Sequence, residues 1–181
     1  MELERRAVAE IRTAGRTLYG VAAPYNRATD IAGLFSETIM AGAFTATLAK
    51  RADVLALADH RSDALLGRTR SGTLRLSETA AGLEYSLELP ATSLGNDLLV
   101  LAQRSDLGGM SFAFTADTET WPDARTRQLR AVTLHEVSVV RGHPAYDGTS
   151  IALRARARAV DPAGAAALRR LRALLQAEGV R

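Results

Sequence analysis

The chain holds three histidines, His60, His135 and His143, and no cysteine, which excludes a disulfide scaffold, a thiolate metal site and a cysteine nucleophile. A serine hydroxyl is a poor nucleophile until a base takes its proton. The base is usually histidine, and it needs a third group to hold its ring and stabilise the imidazolium. The serine in the most suggestive setting is Ser111, in Gly108-Gly109-Met110-Ser111-Phe112-Ala113-Phe114. Read as a strand, this stretch turns Met110, Phe112 and Phe114 to one face and Ser111, Ala113 and Thr115 to the other. The bulky face suits a core, and the small face leaves room for a substrate backbone beside the hydroxyl. Serine is also common in half-buried strands, so the stretch does not by itself make a nucleophile. His60 follows the apolar run Val54–Ala58 directly, in Asp59-His60-Arg61. That places it at a strand end, where it can face a cleft.

The acids near the histidines in sequence are Asp59, Asp63 and Glu136. Asp59 adjoins His60, and neighbours on a strand point to opposite faces, which makes it a poor orienter. The strand predicted over Leu129–Arg141 sets Val132, Leu134, Glu136, Ser138 and Val140 on one face, with Thr133, His135, Val137, Val139 and Arg141 on the other. On that pleat Glu136 and His135 cannot both serve one site. A carboxylate among valines and a leucine is costly unless paired or hydrogen-bonded. His60 is one fitting partner; an arginine or an open sheet face is the other reading. Zinc is the competing chemistry for three histidines, but no pair has the short helical spacing of common zinc motifs. No metal and no cofactor is expected, and no glycine loop of the phosphate-cradling kind is present.

The elements that must hold these residues are mostly strands. Alternation predicts strands over 6–11 and 17–22 about a turn at Gly15, then an irregular stretch from Pro24 to Gly33. A short extended piece at Phe35–Ile39 and a helix over Ala41–Leu48 follow. Val54–Ala58 reads as a buried strand, Leu65–Thr69 as a bend, and Thr73–Ser77 with Leu83–Leu89 as a hairpin. Asn96–Arg104 suits a helix. Ser111–Trp121 and Arg127–Val140 suit a second hairpin around Pro122-Asp123. Several short-spaced strands with helices between them predict an antiparallel β-barrel or sandwich with helical insertions.

With 181 residues, 47% of them hydrophobic, the chain suits one domain with a sizeable core. The net charge of +3 is unevenly placed, because residues 151–181 carry seven arginines against Asp161 and Glu178. Asp161-Pro162 reads as a helix start, and Leu168, Leu171, Leu174 and Leu175 form an apolar stripe among arginines. This predicts one domain over 1–153 and a basic amphipathic helical tail over 154–181. Aromatic residues are 5% of the chain, too few to interleave a basic nucleic-acid face, so no specific nucleic acid is expected. The N-terminus lacks the apolar segment of a secretory signal and no apolar run has membrane-spanning length, which predicts a cytosolic protein with no membrane partner.

The ordered motifs from Leu18 to Leu153 resemble those of the prohead serine proteases of tailed phages, the HK97-like procapsid-maturation peptidases. They are Gly20-Val21-Ala22-Ala23-Pro24-Tyr25-Asn26, Phe35-Ser36-Glu37-Thr38-Ile39, Gly42-Ala43-Phe44, Asp59-His60 and Leu66-Gly67-Arg68-Thr69. They continue with Ser71–Leu76, Gly82-Leu83, Leu89–Thr92, Met110–Phe114, Glu136–Val140 and Pro144-Ala145-Tyr146. Each is weak alone; their order and spacing make the match specific. The resemblance implies a mainly β, α+β fold: an antiparallel β-barrel ringed by helices, similar to the herpesvirus assembly protease. It implies a serine endopeptidase that cuts the scaffold, or the scaffold-like N-terminal segment of the major capsid protein, and itself. The setting would be the assembling procapsid in the bacterial host cytoplasm, for a phage or a gene transfer agent. Position by position it implies Ser111 as nucleophile, His60 as general base and Glu136 as third member. His135 stays open for that third role because the herpesvirus relatives use a second histidine. Ala113 departs from the family's frequent glycine. By analogy a homodimer and oxyanion donors at or near Arg141 are implied. The alternative is a non-catalytic capsid-assembly protein of the same fold.

Overall fold

The structure, a computed structural model, describes residues 3–8 and 11–142. The tail assigned to 154–181, its helix start and His143 lie outside the described residues. Among the described residues, eleven strands and two helices follow in chain order. They are β1 (Glu4–Val8), β2 (Arg12–Ala14), β3 (Thr17–Pro24), β4 (Ala28–Ile31), β5 (Phe35–Ile39), α1 (Thr45–Ala49), β6 (Leu55–Ala58) and β7 (Arg61–Arg68). Then come β8 (Leu74–Glu78), β9 (Gly82–Glu88), α2 (Ser93–Gln103), β10 (Gly109–Asp123) and β11 (Thr126–Val140). No described helix is long and apolar enough to cross a membrane.

These strands form two sheets. One has four strands in the order β2-β3-β9-β8, all antiparallel. The other has seven, running β1-β10-β11-β5-β4, with β6 attached to β11 and β7 to β6. Long β11 is shared along its length: residues 126–129 pair parallel with β5, and residues 136–139 pair parallel with β6. Between those two partners α1 covers the edge of β11. Buried Thr47 donates its hydroxyl to Val132 O at 2.8 Å and accepts from Leu134 N at 3.1 Å, which satisfies backbone groups that neither strand reaches.

The barrel expectation fails here. Closure requires the two edges of one sheet to hydrogen-bond to each other, and neither sheet closes on itself. The architecture is mixed α+β, with two open sheets, parallel pairings at β11 and only two short helices among the described residues. Alternation reports which face of a strand is buried and is silent about which edges pair, so the periodicity was compatible with either arrangement. Two strands also replace predicted irregular segments: β4 lies within the stretch read as a loop, and β7 spans the predicted bend.

The core joins both sheets. Met110, Phe112 and Phe114 of β10 are buried as predicted, with Leu134, Val137 and Val139 of β11, Leu18 of β3, Leu74 of β8, and Leu83, Tyr85 and Leu87 of β9. Phe112 lies edge-on to Phe44 and stacks against Phe114 at 5.4 Å. Burial of each such side chain stabilises by about 1.5–3 kcal/mol, so β10 is fixed from behind. The entry to β10 is fixed as well: Gly108 N donates to Val140 O at 2.8 Å, and a Cβ on Gly108 would fall 1.6 Å from Gly142 O.

Candidate active site

Ser111 sits on the face of β10 opposite the core, as its alternation with Met110 and Phe112 requires. The antiparallel register places it directly across from Ser138 of β11, and Ala113 across from Glu136. These four residues form a small patch on the outer face of the sheet.

His60 reaches this patch from the side. β6 and β7 pair as far as Ala58 and Arg61, leaving Asp59-His60 as a two-residue turn with φ of 50° and 59°. Two left-handed residues in succession define the mirror-image turn that fits the twist of a hairpin, a position glycine and asparagine favour. Aspartate and histidine are among the side chains that tolerate this region, at a cost of about 1–3 kcal/mol each. Asp59 offsets part of that cost. Its N–H donates to Val139 O at 3.0 Å, and its carboxylate accepts from Arg141 N at 2.9 Å and Arg141 Nε at 2.5 Å. The turn is thereby tied to the end of β11. The Asp59 carboxylate bonds Arg141 and not the His60 ring, so it holds the turn that carries the ring. The Arg141 N–H, near which oxyanion donors were expected, is committed to Asp59.

The imidazole bridges the patch diagonally. Its Nε2 lies 2.8 Å from Ser111 Oγ, and its Nδ1 hydrogen-bonds Glu136 Oε1. The structure therefore brings Ser111, His60 and Glu136 into one continuous chain of hydrogen bonds. His135, the alternative third member, contacts Thr115 Oγ1 through Nε2 at 2.6 Å instead.

Glu136 does not reach the ring for the reason the pleat suggested. A β-bulge intervenes: Ala113 pairs with Glu136 but Phe114 pairs with Leu134, leaving His135 as the extra residue. The core face of β11 consequently changes parity, from Val132 and Leu134 before the bulge to Val137 and Val139 after it. Glu136 stands on the outer face beside Ala113, not among those valines and Leu134. The bulge also brings His135 to the same outer face, so the expectation that His135 and Glu136 lie on opposite faces is corrected. Their separate hydrogen-bond partners distinguish them.

Ser111 has a second contact that the sequence did not announce. Its Oγ lies 2.8 Å from the main-chain oxygen of Arg6 on β1, the strand hydrogen-bonded to the other edge of β10. A hydroxyl has one proton to donate. When it goes to Arg6 O, His60 Nε2–H donates to Oγ; when it goes to Nε2, the serine is primed for attack and Nδ1–H donates to Glu136. Such a chain can transfer the serine proton to the ring while the carboxylate faces the developing imidazolium. Among the described residues no three His, Asp or Glu side chains converge for a metal ion.

On the core face of the same strands lies a second polar group. Arg127 of β11 has a fully buried side chain and donates to Glu4 at 2.6 and 2.8 Å, to Glu37 at 2.8 Å and to Glu119 at 2.7 Å. Arg6 joins through Glu37 at 2.6 and 2.8 Å and Glu4 at 3.0 Å. Burial alone would raise the Glu4 carboxyl, but hydrogen bonding and charge from Arg127, with the charge of Arg6, hold it below its ordinary value. This cluster fastens β1, and with it the Arg6 carbonyl, against Ser111.

A hydroxyl, an imidazole and a carboxylate linked in that order define the class of serine hydrolases. The chain matches the Caudovirus prohead serine proteases over residues 1–163 and belongs to that family. It is accordingly a serine endopeptidase with a role in phage capsid maturation, acting in association with capsid and scaffold proteins during particle assembly. No curated protein and no solved structure matches it.

Proposed function

We propose that Ser111 is the nucleophile, His60 the general base and acid, and Glu136 the group that orients the His60 ring. The observation carrying this reading is the pair of hydrogen bonds from the two nitrogens of one imidazole to Ser111 and Glu136. In acylation Ser111 Oγ attacks the scissile carbonyl carbon as its proton passes to His60 Nε2. That proton then goes to the leaving amine, and water completes the cycle by the reverse transfer. Glu136 stays ionised and keeps Nδ1 protonated, so that Nε2 is the basic nitrogen. The substrate in this reading is the scaffold, or the scaffold-like N-terminal segment of the major capsid protein, and the protease itself, inside the procapsid in the host cytoplasm.

Co-expression of the chain with the major capsid protein encoded beside it tests the assignment. Intact-mass measurement should show a shortened capsid protein with the wild type and a full-length one with Ser111→Ala or His60→Ala. Identical capsid-protein masses with wild type and Ser111→Ala would remove Ser111 from the reaction. Cleavage undiminished in Glu136→Gln but lost in His135→Ala would transfer the third role to His135.

A further inference from the structure

The outer patch contains a hydroxyl that the proposed reaction does not use. Ser138 has no exposed surface, and its Oγ has no hydrogen-bond partner among the described residues. Buried polar groups are nearly always paired, and one left unpaired is destabilising relative to an alanine of similar shape. Its position is informative. Ser138 lies directly across from Ser111 and two residues along the same face from Glu136. The His60 ring spans the diagonal from Ser111 to Glu136, approaching from the strand on the other side of β11. By register Ser138 and Ala113, both without exposed surface, occupy the other two corners of the patch that the ring crosses. Ala113 is apolar; of these two corners Ser138 carries the dipole able to answer a change of charge on the ring.

We propose that Ser138 is a positioning residue of the site, its hydroxyl turning its oxygen toward the His60 ring once that ring carries the serine proton. Before that transfer the hydroxyl is left unpaired. In the charged state a lone pair faces the imidazolium at close range in a poorly hydrated setting, where a dipole has its greatest effect. Ser138 exchanges no atom: its hydroxyl has no hydrogen bond to a base that could take its proton, whereas Ser111, also buried, has one to His60. The inference rests on the Ser111, His60 and Glu136 reading. Among the described residues, the charged sequence neighbours of His60 are already engaged: Asp59 with Arg141, and Arg61 with Asp63 on β7. Glu136 is thus the carboxylate that touches the ring, and Ser138 the unengaged dipole at the adjoining corner.

A fluorophosphonate probe tests this on the full chain without knowledge of the cleavage site. Ser111 Oγ bonds to phosphorus, fluoride leaves, and the serine proton passes to His60 Nε2. The rate constant of labelling at saturating probe, the half-saturating probe concentration and the pH profile are measured for each variant. Ser138→Ala should label about tenfold more slowly, with its half-saturating concentration unchanged. Its acid limb should move to lower pH by about one unit, because the charged ring loses a lone pair. Its thermal midpoint should be equal or higher, since an unpaired hydroxyl has gone. A labelling rate within about twofold of wild type and an unmoved acid limb would overturn the role of Ser138. If Ser111→Ala and His60→Ala label like the wild type, the triad reading itself fails; if they do not label while Ser138→Ala is normal, only this inference fails.

Discussion

Two polar constellations lie back to back on β10 and β11, and they differ in nearly every physical respect. On the core face, Arg127, Arg6, Glu4, Glu37 and Glu119 form a closed set of ion pairs. On the outer face, Ser111, His60 and Glu136 form an open-ended chain of hydrogen bonds with Ser111 buried at one end. This chain is carried by a left-handed turn and bordered by an unpaired hydroxyl. In the first arrangement each charged side chain is ion-paired, two guanidiniums against three carboxylates, and no proton is passed along it. The second keeps a movable proton, a strained support and a spare dipole, which is how a site for chemistry differs from a clamp. The clamp nevertheless serves the site, because β1 belongs to both: its Arg6 guanidinium is held on one face while its carbonyl meets Ser111 on the other.

The sharpest way to break this comparison is to damage each side and ask which property falls. Arg127→Ala leaves Arg6 alone to face Glu4 and Glu37 and takes the guanidinium from Glu119, and removing one member of a buried pair costs about 3–5 kcal/mol. Ser111→Ala removes a small hydroxyl from a β-strand and should leave the urea midpoint near that of wild type, while turnover falls by roughly a thousandfold or more. Paired urea melts and cleavage assays on both variants check this. A large stability loss in Ser111→Ala, or an unchanged midpoint in Arg127→Ala, would mean that the two faces are not divided as described.

The two faces were also unequally legible in the sequence. Ser111 and the phenylalanines behind it could be read because the first residues of β10 keep a regular pleat. Glu136 could be singled out, yet the bulge at His135 shows that the supporting argument rested on the wrong face. Nothing local announces a bulge of this kind. The clamp was invisible because its pairs join Arg6 to Glu37 and Arg127 to Glu4 across 31 and 123 positions, and each member alone looks like an ordinary strand-edge charge. β7 was missed because its pairing with β6 shifts register twice, which destroys the alternation that identifies a strand. The open sheets were unreadable for a related reason: periodicity fixes faces and leaves edges undetermined.

A smaller effect separates the faces by pH. Glu4 is held below its ordinary value of 4.5 by Arg127 and Arg6 against the opposing effect of burial. A carboxyl depressed in the folded state contributes stability that is fully present above the unfolded value and is lost as pH falls through the folded value. Stability should therefore decline below about pH 4.5 as Glu4 takes a proton. Glu4→Gln, which has no proton to take there, should be less stable at pH 7 and should lose less on acidification. Urea midpoints at neutral pH and at successive steps below pH 4.5 check the sign; parallel declines in the two proteins would detach Glu4 from the acid response.

The smallest effect concerns the joint between the strained turn and β11. Asn is at least as well suited as Asp to the first position of a two-residue turn with positive φ, so Asp59→Asn should leave the turn itself intact. What it loses is charge. One amide oxygen can still accept from the Arg141 N–H or from its guanidinium, but it no longer balances the cation, and an exposed pair of this kind contributes about 0–1 kcal/mol. Thermal stability should hardly change. Activity should fall severalfold, because the ring at the end of this turn has to meet Ser111 and Glu136 at once and small displacements there are costly. Asp59→Ala, which removes both acceptors from Arg141, should fall further than Asp59→Asn, with substrate affinity unchanged in both. Equal activity in Asp59→Ala and wild type would show that the left-handed turn keeps His60 in register without its tie to Arg141.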